Sequence, residues 1–135
     1  MALKQKLVPV TVNGKTIVAQ PFTINADTMV VKLRTFDGLA ISIDTIAPKV
    51  SPSNFKEGKK ITTKTLKVKM SDNLSGITKY DCYLNGEWIL AEHDGKTATL
   101  TIDTTNATTT GKNILKVIVT DRIGNTTVKE WVLLF

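Results

Sequence analysis

Apolar residues recur at every second position through most of this sequence, and that spacing governs what the chain can build. Leu66-Val68-Met70 alternates with Lys67 and Lys69, Tyr80-Cys82-Leu84 with Lys79, Asp81 and Tyr83, and Ala98-Leu100-Ile102 with Thr97, Thr99 and Thr101. A strand sends successive side chains to opposite faces, so each triplet points one face inward. A helix needs apolar residues three and four apart, and no stretch of a dozen residues holds such a stripe. The 21 Thr, mixed with Val and Ile, add β-branched stiffness that suits strands. The chain reads as all-β.

Leu115-Val117-Val119 repeats the alternation, and Ile114 and Ile118 make that strand apolar on both faces, which predicts a central position in its sheet. Trp131-Leu133-Phe135, opposed by Val128, Val132 and Leu134, forms a final strand. Asn85-Gly86 between Tyr80-Leu84 and Trp88-Leu90 predicts a type I′ hairpin, because that turn needs positive φ at both central residues. Asn13-Gly14 predicts another between Leu7-Val12 and Lys15-Ala19. His93-Asp94-Gly95 and Thr110-Gly111 mark further turns.

The prolines of Asp44-Thr45-Ile46-Ala47-Pro48-Lys49-Val50-Ser51-Pro52 interrupt sheet pairing and place a domain boundary near residue 45. Residues 45–135 hold about seven strands, the number expected of an immunoglobulin-like antiparallel β-sandwich. Residues 1–44 hold about four, near the limit at which a chain buries a core unaided, so this β-rich segment reads as the tail of a preceding domain.

Composition closes several doors. With one cysteine, Cys82, no intrachain disulfide can form. With one histidine, His93, the His-pair and Cys/His zinc patterns lack ligands. The formal charge of +6 is concentrated in Lys56, Lys59, Lys60, Lys64, Lys67 and Lys69, while Arg34 and Arg122 are the only arginines. Without interleaved Arg and aromatics that pattern does not suit a nucleic-acid groove, and nucleic acid is not an expected partner. The lysines suit the open side of a sheet, where they deter edge-to-edge pairing. No apolar run reaches the ~18 residues of a membrane span. Pro9 and Thr11-Val12-Asn13-Gly14 follow the basic start too soon for a secretory leader, and location is not legible from this end.

Two stretches echo each other: Ser71-Asp72-Asn73-Leu74-Ser75-Gly76 and Thr120-Asp121-Arg122-Ile123-Gly124-Asn125. Aligned on Gly76, the calcium template of an EF-hand puts Ser71 at its first position and Cys82 at its last, both wrong for ligands. The second stretch offers only Asp121 and Asn125. The reading is therefore structural: Asp72 with Gly76, and Asp121 with Gly124 and Asn125, are turn formers at matching strand ends, and no cofactor or metal is expected. Ser51, Ser53, Ser71 and Ser75 have one candidate base, His93, with no nucleophile-elbow or oxyanion-loop sequence, so no catalytic residue is assigned. A Trp in a sandwich strand is more often core, which is the first reading of Trp88. The alternative is a sugar-binding platform of Trp88, Tyr83 and Trp131. Cys82 reads as a small buried hydrophobe.

One resemblance covers residues 44–135. Asp44-Thr45-Ile46-Ala47-Pro48, Ser51-Pro52-Ser53-Asn54-Phe55-Lys56-Glu57-Gly58-Lys59, Ser71-Asp72-Asn73-Leu74-Ser75-Gly76-Ile77, Tyr83-Leu84-Asn85-Gly86-Glu87-Trp88-Ile89-Leu90 and Val119-Thr120-Asp121-Arg122-Ile123-Gly124-Asn125, in this order and spacing, resemble the C-terminal immunoglobulin-like domain of secreted, lysostaphin-like bacterial peptidoglycan endopeptidases. Upstream, Arg34-Thr35-Phe36-Asp37-Gly38-Leu39-Ala40-Ile41-Ser42-Ile43-Asp44 resembles the end of the β-rich region preceding that domain. The resemblance implies a non-catalytic accessory module in an extracytoplasmic setting (periplasm, cell surface or secreted). Its implied partners are neighbouring domains of its own polypeptide, with cell-wall glycan or protein as an alternative. The zinc peptidase chemistry of those proteins belongs to a separate domain, and none of its ligands is carried over.

Overall fold

A computed structural model describes residues 3–34 and 38–135; Met1, Ala2, and the Thr35, Phe36 and Asp37 of the upstream phrase lie outside the described residues. Among the described residues there is one short 3₁₀ turn, Leu3–Lys6, and everything else of regular structure is strand.

The sandwich begins at β6 (Lys49–Pro52) and continues through β7 (Thr65–Ser71), β8 (Ile77–Leu84), β9 (Glu87–Ile89), β10 (Ala91–Asp94), β11 (Thr99–Asp103), β12 (Lys112–Asp121) and β13 (Thr126–Leu134). One sheet has the order β10-β11-β7-β6 and the other β13-β12-β8-β9, all pairs antiparallel. This is the four-plus-three arrangement of the immunoglobulin fold with one extra edge strand, β9. The stretch expected as a single strand from Trp88 stops at Ile89, and the chain crosses at exposed Leu90 to begin β10 in the opposite sheet. That crossing turns about seven expected strands into the eight observed.

Period-two burial is nearly ideal where the sequence alternates. Leu66, Val68 and Met70 of β7 face Leu115, Val117 and Val119 of β12 across the core, with Leu100, Ile102, Cys82, Leu84 and Leu133 filling the rest. Each such aliphatic side chain stabilises the fold by roughly 1.5–3 kcal/mol relative to exposure. Lys67 and Lys69 point outward from the same strand. Strand β12 is central, as its two-sided apolar pattern predicts, although its outer residue Ile114 stays exposed.

Three expectations shift by local geometry. Asn85 (φ 53°) and Gly86 (φ 87°) form the expected hairpin turn. In the Asn13-Gly14 hairpin, however, Asn13 pairs with Thr16, so the turn is Gly14-Lys15, with positive φ at Gly14 alone. Ala98 leaves its strand for a left-handed turn position (φ 51°), while His93 joins strand β10.

Upstream, β1 (Leu7–Asn13), β2 (Thr16–Ala19) and β5 (Gly38–Ile43) form a sheet in the order β2-β1-β5, and β3 (Phe22–Asn25) and β4 (Thr28–Val31) a separate hairpin. Val8 and Val10 are buried here, but Ile17, Val18, Ile24, Val30, Leu39, Ile41 and Ile43 are exposed. So short a segment cannot cover both of its own faces. Among the described residues its strands pair with one another and not with those of the sandwich, and the connection to the sandwich lies elsewhere.

Candidate functional site: the carboxylate joint

That connection is built by the two echoing turns and the Asp44 punctuation. Strand β5 ends at Ile43, and Asp44 is fully buried where the chain enters the sandwich. Its amide donates to Lys6 O at 2.9 Å, tying it back to the start of β1. Its Oδ1 accepts from Ile46 N (3.3 Å) and its Oδ2 from Ser75 N (2.9 Å), so one carboxylate reaches both its own loop and the turn after β7.

In that turn Asp72 Oδ2 accepts the amides of Leu74 (3.1 Å) and Gly76 (2.7 Å), and Gly76 takes φ 84°. In the turn between β12 and β13, Asp121 Oδ1 accepts from Ile123 N (3.0 Å) and Asn125 N (2.8 Å), and Gly124 takes φ 88°. Each Asp thus closes its own turn. The two turns also interlock, Arg122 N donating to Gly76 O at 2.8 Å and Thr78 Oγ1 to Asp121 O at 3.1 Å.

Asn125 completes the joint. Its Nδ2 donates to Asp44 O (3.1 Å) and to Asp121 Oδ2 (2.6 Å), and its Oδ1 accepts from Lys6 Nζ. Arg122, beside it, lays its guanidinium 4.8 Å from the Phe22 ring centroid and donates to Phe22 O at 3.0 Å, holding the β3–β4 hairpin. Thr127 Oγ1 donates to Pro48 O at 2.5 Å, fixing the linker on the other side. One six-residue turn therefore contacts the linker, the β1 end and the hairpin.

The joint brings Asp44, Asp72 and Asp121 together: one carboxylate oxygen from each lies within 4.8 Å of the others. Asp44 and Asp121 are buried and Asp72 half-buried. Sequence reading placed Asp72 and Asp121 in turns but left out Asp44 as a functional partner, and with it Lys6 and Ser75. A linear ligand template cannot find residues that meet only when three distant segments fold together. The one sequence signal was the Asp that precedes the Pro-rich entry.

The aromatic residues separate. Trp131 pairs with Leu115, whose side chain is in the core, so it shares that face; it is 7% exposed and sits edge-on to Phe55 at 5.7 Å. It is unavailable to a sugar platform. Trp88, first read as core, is instead 58% exposed. The register explains this: Trp88 pairs with Tyr83, and Tyr83 points outward because its neighbours Cys82 and Leu84 point in. Next to Tyr83 on this outer face runs a groove of about 710 Å³, floored by Ile114, Ile118 and the Lys116–Glu130 ion pair (3.6 Å).

His93 is exposed, with its ring 5.7 Å from that of Tyr80; among the described residues no hydrogen bond joins it to a serine or a carboxylate. Burial, with the Asp81 charge adding to it, pushes the Cys82 thiol up to about 12. A thiol held protonated is a poor nucleophile. No protein-family model matches the chain, and a search of curated proteins finds no match.

Proposed function

We propose that this chain is a non-catalytic, immunoglobulin-like accessory module of a bacterial secreted or cell-envelope protein, whose task is to hold a neighbouring domain in a fixed orientation, that neighbour being a peptidase on the resemblance given above. The observation that carries the reading is the joint itself. Buried Asp44 and Asn125 fasten the β1–β5 segment to the end of the sandwich, as a spacer transmitting orientation requires. The exposed Val18, Leu39, Ile41 and Ile43, which the register puts on one face of the β2-β1-β5 sheet, support it from the other side, since an apolar face of this kind calls for a covering neighbour.

A second reading, a glycan-binding or adhesion module, is favoured by the exposed Trp88 beside Tyr83, because aromatic faces stack on the apolar faces of sugar rings. Incubating the purified chain with intact peptidoglycan separates the two. The accessory reading expects no soluble fragments released and no saturable retention. Retention that survives added salt and disappears in Trp88→Ala replaces it with the glycan reading; fragment release overturns both.

A further inference from the structure

We propose that the joint is a binding site for a divalent cation of the calcium type, held by Asp44, Asp72 and Asp121. Two oxygens on one calcium, each at 2.3–2.6 Å, lie at most about 5 Å apart. The three carboxylate oxygens, all within 4.8 Å of one another, fall inside that span.

Convergence of acids is common and would not carry the assignment alone. The second observation is that Asp72 Oδ1 and Ser75 Oγ are buried oxygens with no hydrogen-bond partner among the described residues. Asp72 Oδ2 is turned to the amides of Leu74 and Gly76, which leaves Oδ1 as the oxygen free to face the other carboxylates. Ser75 is bound to the same cluster through its amide on Asp44 Oδ2. A buried, unpartnered anionic oxygen is strongly unfavourable unless an ion or water meets it, and an ion answers for both oxygens and for the repulsion among three carboxylates at once.

The charge arithmetic agrees. Among the described residues no ion pair joins a basic side chain to Asp44, Asp72 or Asp121; Lys6, a cation of the same network, donates to Asn125 Oδ1. Arg122 turns its guanidinium to Phe22, so against the three carboxylates Lys6 leaves the cluster two charges short, the charge that one divalent ion carries. The donors are all hard oxygens, which select calcium over softer-ligand metals such as zinc. Because they come from the β5 exit, the turn after β7 and the turn after β12, an ion there ties the upstream segment to both sheets of the sandwich. The site stands whether the chain is a spacer or a glycan binder.

The test uses the full chain, stripped with a chelator and titrated with CaCl2 while amide resonances are followed by NMR, with MgCl2 as comparison. Saturable shifts at Ile46, Ser75, Gly76, Ile123 and Asn125 are expected, with a raised Tm at saturation. Asp72→Asn keeps an oxygen for the Leu74 and Gly76 amides while removing the charge, and it is expected to fold and to bind at least about tenfold more weakly, the 1.4 kcal/mol per decade of a lost charged ligand. Asp44→Asn is a second such variant. No saturable shift at about 10 mM calcium, above the range of weak extracellular sites, overturns the proposal. So do shifts that persist unchanged in Asp72→Asn, or shifts confined to exposed Asp94 and Asp103.

Discussion

Asn125 donates a hydrogen bond from its side chain to the backbone carbonyl of Asp44 at 3.1 Å, and both residues are buried. The same amide group donates to Asp121 Oδ2 and accepts from Lys6. One side chain thus satisfies polar groups from three parts of the chain, and removing it leaves several of them unpaired in a place water does not reach. Asn125→Ala is expected to destabilise the protein by about 2–4 kcal/mol in urea denaturation, with Asn125→Asp no better because it places a fourth carboxylate in the joint. A loss below about 0.5 kcal/mol would mean that the joint is not under tension from these bonds.

The Arg122 side chain acts on the β3–β4 hairpin, while its backbone amide belongs to the interlocked turns. Its contacts to the ring and carbonyl of Phe22 hold the β3–β4 hairpin. Arg122→Gln should speed amide exchange in Phe22–Asn25 and Thr28–Val31 while leaving β7 and β12 protected, with global stability changed by no more than about 1 kcal/mol. Uniformly faster exchange would place Arg122 in the global fold instead.

Asn113 is a buried polar residue at the start of a largely apolar strand. Its Oδ1 accepts from Asn85 Nδ2 (2.8 Å) and Thr109 N (3.0 Å), and its Nδ2 donates to Thr109 O (2.7 Å) and Gly111 O (3.2 Å). It pins the Thr-rich connection before β12 and the Asn85-Gly86 turn to one another. Asn113→Leu, with the same branched heavy-atom skeleton but no polar atoms, strands those partners and should cost about 2–4 kcal/mol, read as a drop in the denaturation midpoint.

Cys82 gives a pH prediction. Its thiol is raised from 9.0 to about 12 by burial, with Asp81 adding to the shift, so the folded chain holds this proton more tightly than the unfolded chain does. Its contribution is complete below pH 9.0 and is lost as pH rises toward about 12. The loss is at most about 1.4 kcal/mol per pH unit. The stability of Cys82→Ala should fall less steeply across that window, and a thiol reagent at neutral pH should label the native chain only after denaturant is added. Rapid labelling of the folded chain would contradict the burial.

Much of the sandwich was written in the period-two pattern, because alternation with Lys and Thr on one side decides both strand and face. Where the pattern was ambiguous, register decided. Trp88 and Trp131 look alike in sequence, yet one pairs with outward Tyr83 and the other with inward Leu115, and pairing partners are a long-range property. The crossing at Leu90 carries no Gly or Pro to mark it. The turn-forming geometry of Asp72 and Asp121 was legible locally; their meeting with Asp44 was not, since it depends on β5, β7 and β12 ending at the same end of the fold. Asn113 looked like any polar residue beginning a strand.

The most direct measurement on the joint is a set of residual dipolar couplings for backbone amides of β1 and β5 and of the sandwich strands in one aligned sample. A single alignment tensor fitting both groups is the expected result, collapsing into two tensors in Asn125→Ala. Two tensors in the unaltered chain would mean that the upstream segment moves independently, and an orienting role for the joint would be lost.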